Sequence, residues 1–238
     1  MISIRRSAVL LLVLFSMLAV PSAFAAGRPG SGTAIKPEIN CSVWPPLGTV
    51  IALDPGHGGD DWGTSYDLNR SSKRDDGDVI EKEVVRDIAE LVRDTLVLKD
   101  YTVCLTRTDD KTTLGNSERG DFANLVGAKL FVMIHLNGSS NKDANYTSTF
   151  WGKKRKDLAF SDYMFESLSK DLMAPDPGFV GQFANGALLS ATMESTLTES
   201  VFLTSSDEGP ALASPDSPRR KVIAGAIATG IHNYLSQP

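Results

Sequence analysis

The stretch KLFVMI, residues 129–134, decides the fold class of this chain, because its apolar residues follow one another without polar alternation. A strand with one face in water alternates polar and apolar side chains, whereas a strand covered on both faces does not. The shorter run TVIAL, residues 49–53, has the same character. Both runs therefore predict strands at the centre of a sheet that helices cover on both sides.

Helices and further strands are predicted around these two runs. Apolar residues at helical spacing predict helices from Glu81 to about Lys99, Ser117 to Gly127, Asp157 to Leu172, and from near Pro218 onward. Other strands are expected at 101–107 and 146–151, around Leu188, and at 197–203. The prediction is a single α/β domain, with a mostly parallel or mixed sheet of about six strands and helices on both faces.

The N-terminal region has the pattern of an export signal. Arg5 and Arg6 precede an apolar run at 8–20, and Ala23 and Ala25 form an Ala-x-Ala motif for cleavage after Ala25. We therefore expect a signal peptide at 1–25, a flexible Gly/Pro/Ser-rich arm at 26–47 and the folded domain at 48–238. The protein is expected in the periplasm or outside the cell, without a membrane anchor, because no later stretch is long and apolar enough to span a bilayer.

Charge and cysteine content narrow the class of protein. The 213 residues after the signal hold 22 basic and 29 acidic residues, a net charge of −7, which argues against nucleic acid as a partner. The two cysteines, Cys41 and Cys104, either form one disulfide in an oxidising compartment or remain two buried thiols. We expect the domain to be a monomer.

Two of the three histidines follow the two buried strands. His57 lies in DPGHGG, residues 54–59, and His135 ends the run that begins at Lys129. The carboxyl ends of parallel strands share one rim of a sheet, where ligands bind, so the two imidazoles are expected close together. Each could instead have an ordinary role, His57 as a turn residue and His135 at the edge of the core. His232, near the end of the last helix, does not fit this rim.

A catalytic zinc ion needs three protein ligands and a base for its water. Glu81 opens the first long helix and can supply the third ligand, although acids are also favoured there by the helix dipole. Glu199 lies in the apolar segment TESVFL, where burial would raise its pKa toward the range of a general base. The alternative is that Glu199 sits at a strand edge facing water.

The ordered motifs resemble the zinc-dependent N-acetylmuramoyl-L-alanine amidases. The resemblance covers the chain from about Thr49 and rests on DPGHGGDDWG, EKEVVRDIAELV, SERGDFANLVGAKLFVMIHLN and TESVFL. It implies that zinc is bound by the residues matching the family ligands and that the glutamate of TESVFL is the catalytic acid/base, which assigns these roles to His57, Glu81, His135 and Glu199. Val201 departs from the glycine common in the family at that position, and Glu194 is the alternative acid/base.

The resemblance implies hydrolysis of the amide between N-acetylmuramic acid and L-alanine in peptidoglycan. Alternatives are a zinc peptidase that cuts within the stem peptide and a non-catalytic wall-binding or regulatory module on the same fold. Asn137 is expected near the substrate. Asp54 either orients a ligand, as outer carboxylates often do, or is an ordinary turn residue before Pro55. The polar segment 138–145 is too short for a helix that blocks the site.

Two further sets of polar residues allow two readings each. Arg119 and Asn124 belong either to the substrate site or to the internal structure of the predicted 117–127 helix. The basic run 153–156 either meets anionic wall polymer or forms a solvated surface.

Overall fold

The computed structural model describes residues 35–69, 71 and 77–237. The predicted signal peptide, 1–25, and the arm as far as residue 34 lie outside the described residues. In chain order the elements are α1 (Pro37–Asn40), β1 (Val50–Pro55), β2 (Ser65–Tyr66), β3 (Val79–Ile80), α2 (Glu81–Val97), β4 (Thr102–Leu105), α3 (Asn116–Leu125), β5 (Leu130–Asn137), β6 (Ser148–Trp151), α4 (Lys154–Leu172), β7 (Phe179–Gln182), α5 (Gly186–Ser190), β8 (Glu194–Phe202), α6 (Glu208–Ala211) and α7 (Pro218–Leu235).

The main sheet has six strands in the order β4-β1-β5-β8-β6-β7. The pairs β4/β1, β1/β5 and β5/β8 are parallel, β8/β6 is antiparallel, and β6/β7 is again parallel. The strand predicted from the run at 129–134 is β5, at the centre of the sheet and buried over all but its last residue. The predicted mixed six-strand α/β domain is confirmed.

Each face of the sheet has its own apolar layer, as expected for strands without polar alternation. Helices α2, α4 and α7 pack together on one face, with the apolar stripe of α2 buried against Ile51, Val103 and Ile134. On the other face α3 and α5 pack together, where Phe122 and Leu188 meet Phe131 and Leu197. None of the helices in the described residues combines the length and apolar character needed to cross a bilayer.

The described part of the predicted arm, 35–47, lies against the edge strand β4. Cys41 is disulfide-bonded to Cys104. Of the two alternatives that the sequence leaves open, the structure therefore has the disulfide and not two buried thiols. The Ser42 amide donates to the Val103 carbonyl (2.8 Å), and the Thr102 hydroxyl donates to the Leu47 carbonyl (2.6 Å). These contacts pair an otherwise open sheet edge, which is a common way of preventing edge-to-edge association.

In the segment 175–190, two elements differ from the sequence-based expectation. The strand predicted around Leu188 is wrong, because this residue lies in the short helix α5, where the Asn185 side chain accepts a hydrogen bond from the Ala187 amide. Helix capping of this kind outweighs the strand propensity of a short apolar stretch. The edge strand β7 was not predicted, since Pro175 and Gly178 precede it and its two ends are exposed.

Candidate active site

Three side chains meet at the carboxyl rim of the sheet. Nε2 of His57 lies 3.0 Å from Oε1 of Glu81 and 3.2 Å from Nδ1 of His135, and that Nδ1 lies 3.3 Å from the same Glu81 oxygen. Ligands held about 2.0–2.1 Å from a zinc ion in tetrahedral geometry stand about 3.3 Å apart. The spacing of the three atoms therefore fits three ligands of one tetrahedral zinc ion.

Local backbone geometry presents these side chains. His57 adopts the left-handed conformation, with φ of 64°, directly after β1. Glu81 is the first residue of α2, and its carboxylate accepts hydrogen bonds from the amides of Thr64 (2.8 Å) and Leu136 (3.0 Å). These amides fix both carboxylate oxygens, which orients Glu81 toward the histidines.

Glycines make room for the ligand set. A Cβ at Gly56 would lie 2.1 Å from the His135 ring, and one at Gly63 would lie 2.4 Å from a Glu81 oxygen and 2.6 Å from the His57 ring. Contacts under 3.0 Å do not occur for real Cβ atoms. Two backbone segments thus approach the site so closely that any side chain would displace a ligand.

The electrostatics of the cluster favour a cation. Burial alone would lower the pKa of His57, but the Glu81 charge and hydrogen bonds with Asp61 and Glu81 raise it to about 10. Burial would raise the pKa of Glu81, yet the His57 charge and a hydrogen bond with His135 hold it well below its ordinary value. Burial lowers the pKa of His135, which keeps that imidazole neutral. A buried carboxylate and a neutral imidazole are good ligands for a metal ion.

Glu199 lies beside this cluster. It pairs directly with His135 in the β5/β8 ladder, its side chain is 4% exposed, and its Oε2 has no hydrogen-bond partner among the described residues. Burial first, and then the Glu81 charge, raise the pKa of Glu199 well above its ordinary value. A buried carboxyl with a raised pKa is suited to general acid/base catalysis.

Glu194, the alternative acid/base, lies at the opposite end of β8. It pairs with Leu130 at the start of β5, and its carboxylate accepts a hydrogen bond from the Tyr234 hydroxyl (2.8 Å). Glu194 and Glu199 are five positions apart on the strand, which corresponds to about 17 Å. Val201, where the family commonly has glycine, is fully buried in the core on the helix α2 side of the sheet.

Comparison with known proteins agrees with this arrangement. The family profile described as N-acetylmuramoyl-L-alanine amidase matches residues 51–233. The chain belongs to this family. The germination-specific N-acetylmuramoyl-L-alanine amidase of Bacillus subtilis is 28% identical over 207 residues, which cover 81% of this chain and 82% of that protein. AmiA of Escherichia coli is 28% identical over 234 residues, covering 78% and 76% of the two chains.

The amidase fold extends to solved structures. AmiC2 of Nostoc punctiforme superposes with a TM-score of 0.69 at 26% identity and covers 79% of this chain and 98% of its own. The family match at residues 51–233 contains all three ligand candidates and the whole sheet except Val50. The family resemblance seen in the sequence is therefore confirmed.

Asp54 and Asp61 divide the supporting role that the sequence assigned to Asp54 alone. Asp54 does not contact the ligand set; its Oδ1 accepts from the Thr106 hydroxyl (2.5 Å) and from Arg119 (2.7 Å). Arg119 in turn donates to the His57 carbonyl (2.8 Å), so this buried pair fixes the ligand's backbone. The direct bond to the imidazole comes from Asp61, whose Oδ2 lies 2.9 Å from Nδ1 of His57.

A fully buried arginine and a buried lysine also support the site of this amidase, and neither residue was predicted to have a role there. Arg107 donates to the carbonyls of Pro55 (3.0 Å), Gly56 (2.8 Å) and Lys82 (2.6 Å). Lys82 donates to the Gly59 carbonyl (2.7 Å). The sequence indicates a role for these residues only through their positions, because Arg107 follows a strand and Lys82 follows Glu81.

The remaining predicted residues lie in three places. Asn137, expected near the substrate, ends β5 on the rim, where its side chain accepts from the Gly138 amide (2.8 Å). Asn124 is structural, because it donates to the Ser190 carbonyl and accepts from Thr192 on the loop after α5. In the basic run, Lys156 is paired with the buried Asp157 (2.6 Å).

The sequence predicted that segment 138–145 does not form a blocking helix and that His232 does not lie at the rim. Segment 138–147, between β5 and β6, contains turns and no helix. His232 lies away from the cluster, with its Nδ1 3.0 Å from the Tyr101 hydroxyl.

Proposed function

We propose that the protein hydrolyses the amide between N-acetylmuramic acid and L-alanine in peptidoglycan, with zinc held by His57, Glu81 and His135. Family membership supports the reaction, and the convergence of two imidazole nitrogens and one carboxylate oxygen within 3.3 Å of one another supports the metal. Zinc supplies a Lewis acid that polarises the scissile carbonyl and activates water. Nitrogen and oxygen ligands with an open fourth position are the usual donor set of catalytic zinc.

Glu199 is proposed as the acid/base. One carboxylate oxygen takes a proton from the attacking water, and the same residue returns it to the nitrogen of L-alanine as the amide bond breaks. The observation that carries this role is the ladder pairing of Glu199 with His135, which sets a buried carboxyl with a raised pKa beside the ligand cluster. Asn137, on the same rim, is proposed to contact substrate.

The cellular setting follows from the substrate. The LytH proteins of Staphylococcus saprophyticus and Staphylococcus aureus are named probable cell wall amidases, which supports action on the wall. We propose export through the signal peptide at 1–25, action in the periplasm or outside the cell, and a monomeric catalytic domain at 48–238. Peptidoglycan is the proposed partner, and the polar, helix-free segment 138–147 supports a site without a blocking helix.

Product analysis tests the reaction. The purified chain is incubated with peptidoglycan, and the soluble products are identified by mass spectrometry. Intact stem peptides with a free L-alanine amino group are the expected products. Fragments cut inside the stem peptide would instead establish the peptidase alternative, and the absence of any product would favour the non-catalytic module.

A pair of isosteric variants on one strand tests the acid/base. Glu199→Gln is expected to retain zinc and to lower kcat by about 10²- to 10⁴-fold, because general acid/base catalysis contributes that much. Glu194→Gln is the matched control, since this residue lies at the other end of β8, and it is expected to keep wild-type kcat. Full activity of Glu199→Gln, or loss only in Glu194→Gln, would overturn the assignment.

A further inference from the structure

A row of side chains extends from the candidate active site to the far edge of the sheet. His135 pairs with Glu199, Glu199 with Ser148, and Ser148 with Phe179. Residues directly opposite one another in neighbouring strands project from the same face. Strands are spaced about 4.8 Å apart, so Phe179 lies about 10 Å from Glu199 along this row.

Aromatic rings cluster at the end of the row. Phe179 is 45% exposed although it is a large apolar residue, and its ring lies 5.6 Å from Phe150 and 5.9 Å from Tyr146, centroid to centroid. Tyr146 also packs on Phe202 at 4.6 Å. We call Tyr146, Phe150 and Phe179 the aromatic platform.

A glycine keeps the platform in place. A Cβ at Gly181, on β7, would lie 3.0 Å from the Phe150 ring and 3.1 Å from the Phe179 ring. Both rings therefore lie over the bare backbone at this position. The opposite face of β6 and β7 is the one covered by α4, where Phe165 approaches Gly178.

The charges around the aromatic platform favour the glycan strand over the stem peptide as its ligand. Burial, followed by the charges of Glu199 and Asp176, raises the pKa of Tyr146, and these two acids lie on the same side of the platform as Tyr146. The Asp176 carboxylate is fixed beside it by the Asn145 amide (3.4 Å). A stem peptide with free carboxylates would be repelled here, whereas the neutral pyranose rings of the glycan strand would not.

We propose that the aromatic platform is a glycan subsite, which binds an N-acetylated sugar next to the muramic acid whose amide is cleaved. This proposal rests on the proposed function. The apolar face of a sugar ring packs flat on an exposed aromatic ring, and Phe179 offers such a ring at the distance of one or two linked sugars from Glu199. The platform thereby positions the glycan strand, and the stem peptide lies on the other side of His57, Glu81 and His135.

Kinetics on two substrates test the subsite. One substrate is a muramoyl peptide with a single sugar, and the other carries the same peptide on a glycan of several disaccharides. Phe179→Ala is expected to lower the ratio of kcat/KM for the long substrate to that for the short one by roughly three- to tenfold, the loss of one aromatic contact. Equal losses on both substrates would place the stem peptide, and not the glycan, on the platform and would overturn the proposal.

Matched variants separate ring stacking from general damage. Phe179→Tyr is expected to keep the wild-type ratio, and Phe179→Leu, which preserves an apolar side chain without a ring, is expected to lose it. Trp44→Ala is the control, because Trp44 is 46% exposed and lies beside β4 at the opposite edge of the sheet. A wild-type ratio in Phe179→Leu, or a lowered ratio in Trp44→Ala, would contradict stacking at this site.

A binding measurement distinguishes failure of the subsite from failure of the reaction. Titration calorimetry with a peptide-free N-acetylglucosamine tetramer needs no turnover, and Phe179→Ala is expected to weaken its binding by the same roughly three- to tenfold. If wild type releases no stem peptide yet binds the tetramer through Phe179, the proposed reaction is wrong and the subsite stands. No binding of the tetramer by wild type, or equal binding by Phe179→Ala, would overturn the subsite.

Discussion

Replacement of Gly56 by alanine is the sharpest perturbation of the ligand cluster. The added Cβ would lie 2.1 Å from Cε1 of His135, whereas ordinary contact begins at 3.4 Å, so the ring must move by the difference of 1.3 Å. Metal–ligand distances tolerate only about 0.2 Å. Because the backbone at Gly56 is not left-handed, the damage is confined to this steric displacement.

The expected result is a loss of zinc affinity of about 100-fold or more, since disturbing even an outer partner of a ligand costs 10- to 100-fold. Overpacking should also lower the free energy of unfolding of the metal-free protein by about 1–3 kcal/mol. Competition with a chromophoric chelator measures the affinity, and melting curves with and without chelator separate the two effects. In wild type the chelator should lower the melting temperature, whereas in Gly56→Ala it should have little effect.

Gly225→Ala is the matched control for this variant. Gly225 lies within α7, and a Cβ there would meet nothing within 4 Å. Alanine at this position should leave zinc affinity unchanged and stabilise the fold by up to about 1 kcal/mol through helix propensity. Wild-type zinc affinity in Gly56→Ala would refute the inference that His135 is a ligand in the observed position.

Three further predictions follow from contacts of the same region. Asp61→Asn should lower zinc affinity about 10- to 100-fold in chelator competition, because Asp61 orients His57; an unchanged affinity would exclude that role. Zinc binding at pH 7 should release about one proton, because the pKa of His57 is raised to about 10 in the metal-free protein. The zinc affinity should therefore fall as the pH is lowered. Calorimetry in buffers of different ionisation enthalpy measures the proton release, and binding heats that do not depend on the buffer would contradict it. The double variant Cys41→Ser/Cys104→Ser should have a free energy of unfolding about 4 kcal/mol lower than wild type, because the disulfide closes a loop of 63 residues. Urea denaturation measures this difference, and identical midpoints would show that the disulfide adds no stability.

Residues adjacent in sequence to a strand end were accessible to prediction. His57 and His135 each follow a buried run, and parallel strands place their carboxyl ends on one rim, so their proximity followed from periodicity and topology. Glu199 was predicted by a different argument: burying a carboxylate within an apolar strand costs free energy unless the group is paired or has a function. The family resemblance added the ligand role of Glu81, for which helix position alone allowed a second reading.

Contacts that depend on loop conformation were not accessible. Asp61 and Asp54 are both acids near His57 in the sequence, and only the turn after β1 decides that Asp61 reaches the imidazole while Asp54 pairs with Arg119. The disulfide was undecided for the same reason, since pairing requires that the arm return to β4 across 63 residues. The strand-to-helix error at Leu188 arose because a five-residue helix is too short to show helical periodicity.

The sequence by itself determined the α/β class, the buried strands and the chemical types gathered at their ends, because these depend on local periodicity and on where polar residues interrupt it. Only the tertiary structure decided which of two acids on β8 lies beside the three ligand candidates, since the β5/β8 register places Glu199 beside His135 and Glu194 beside Leu130. It also revealed the row from His135 to Phe179, whose members come from four strands. Register between distant strands is a property of the packed sheet, and no single segment of the chain contains it.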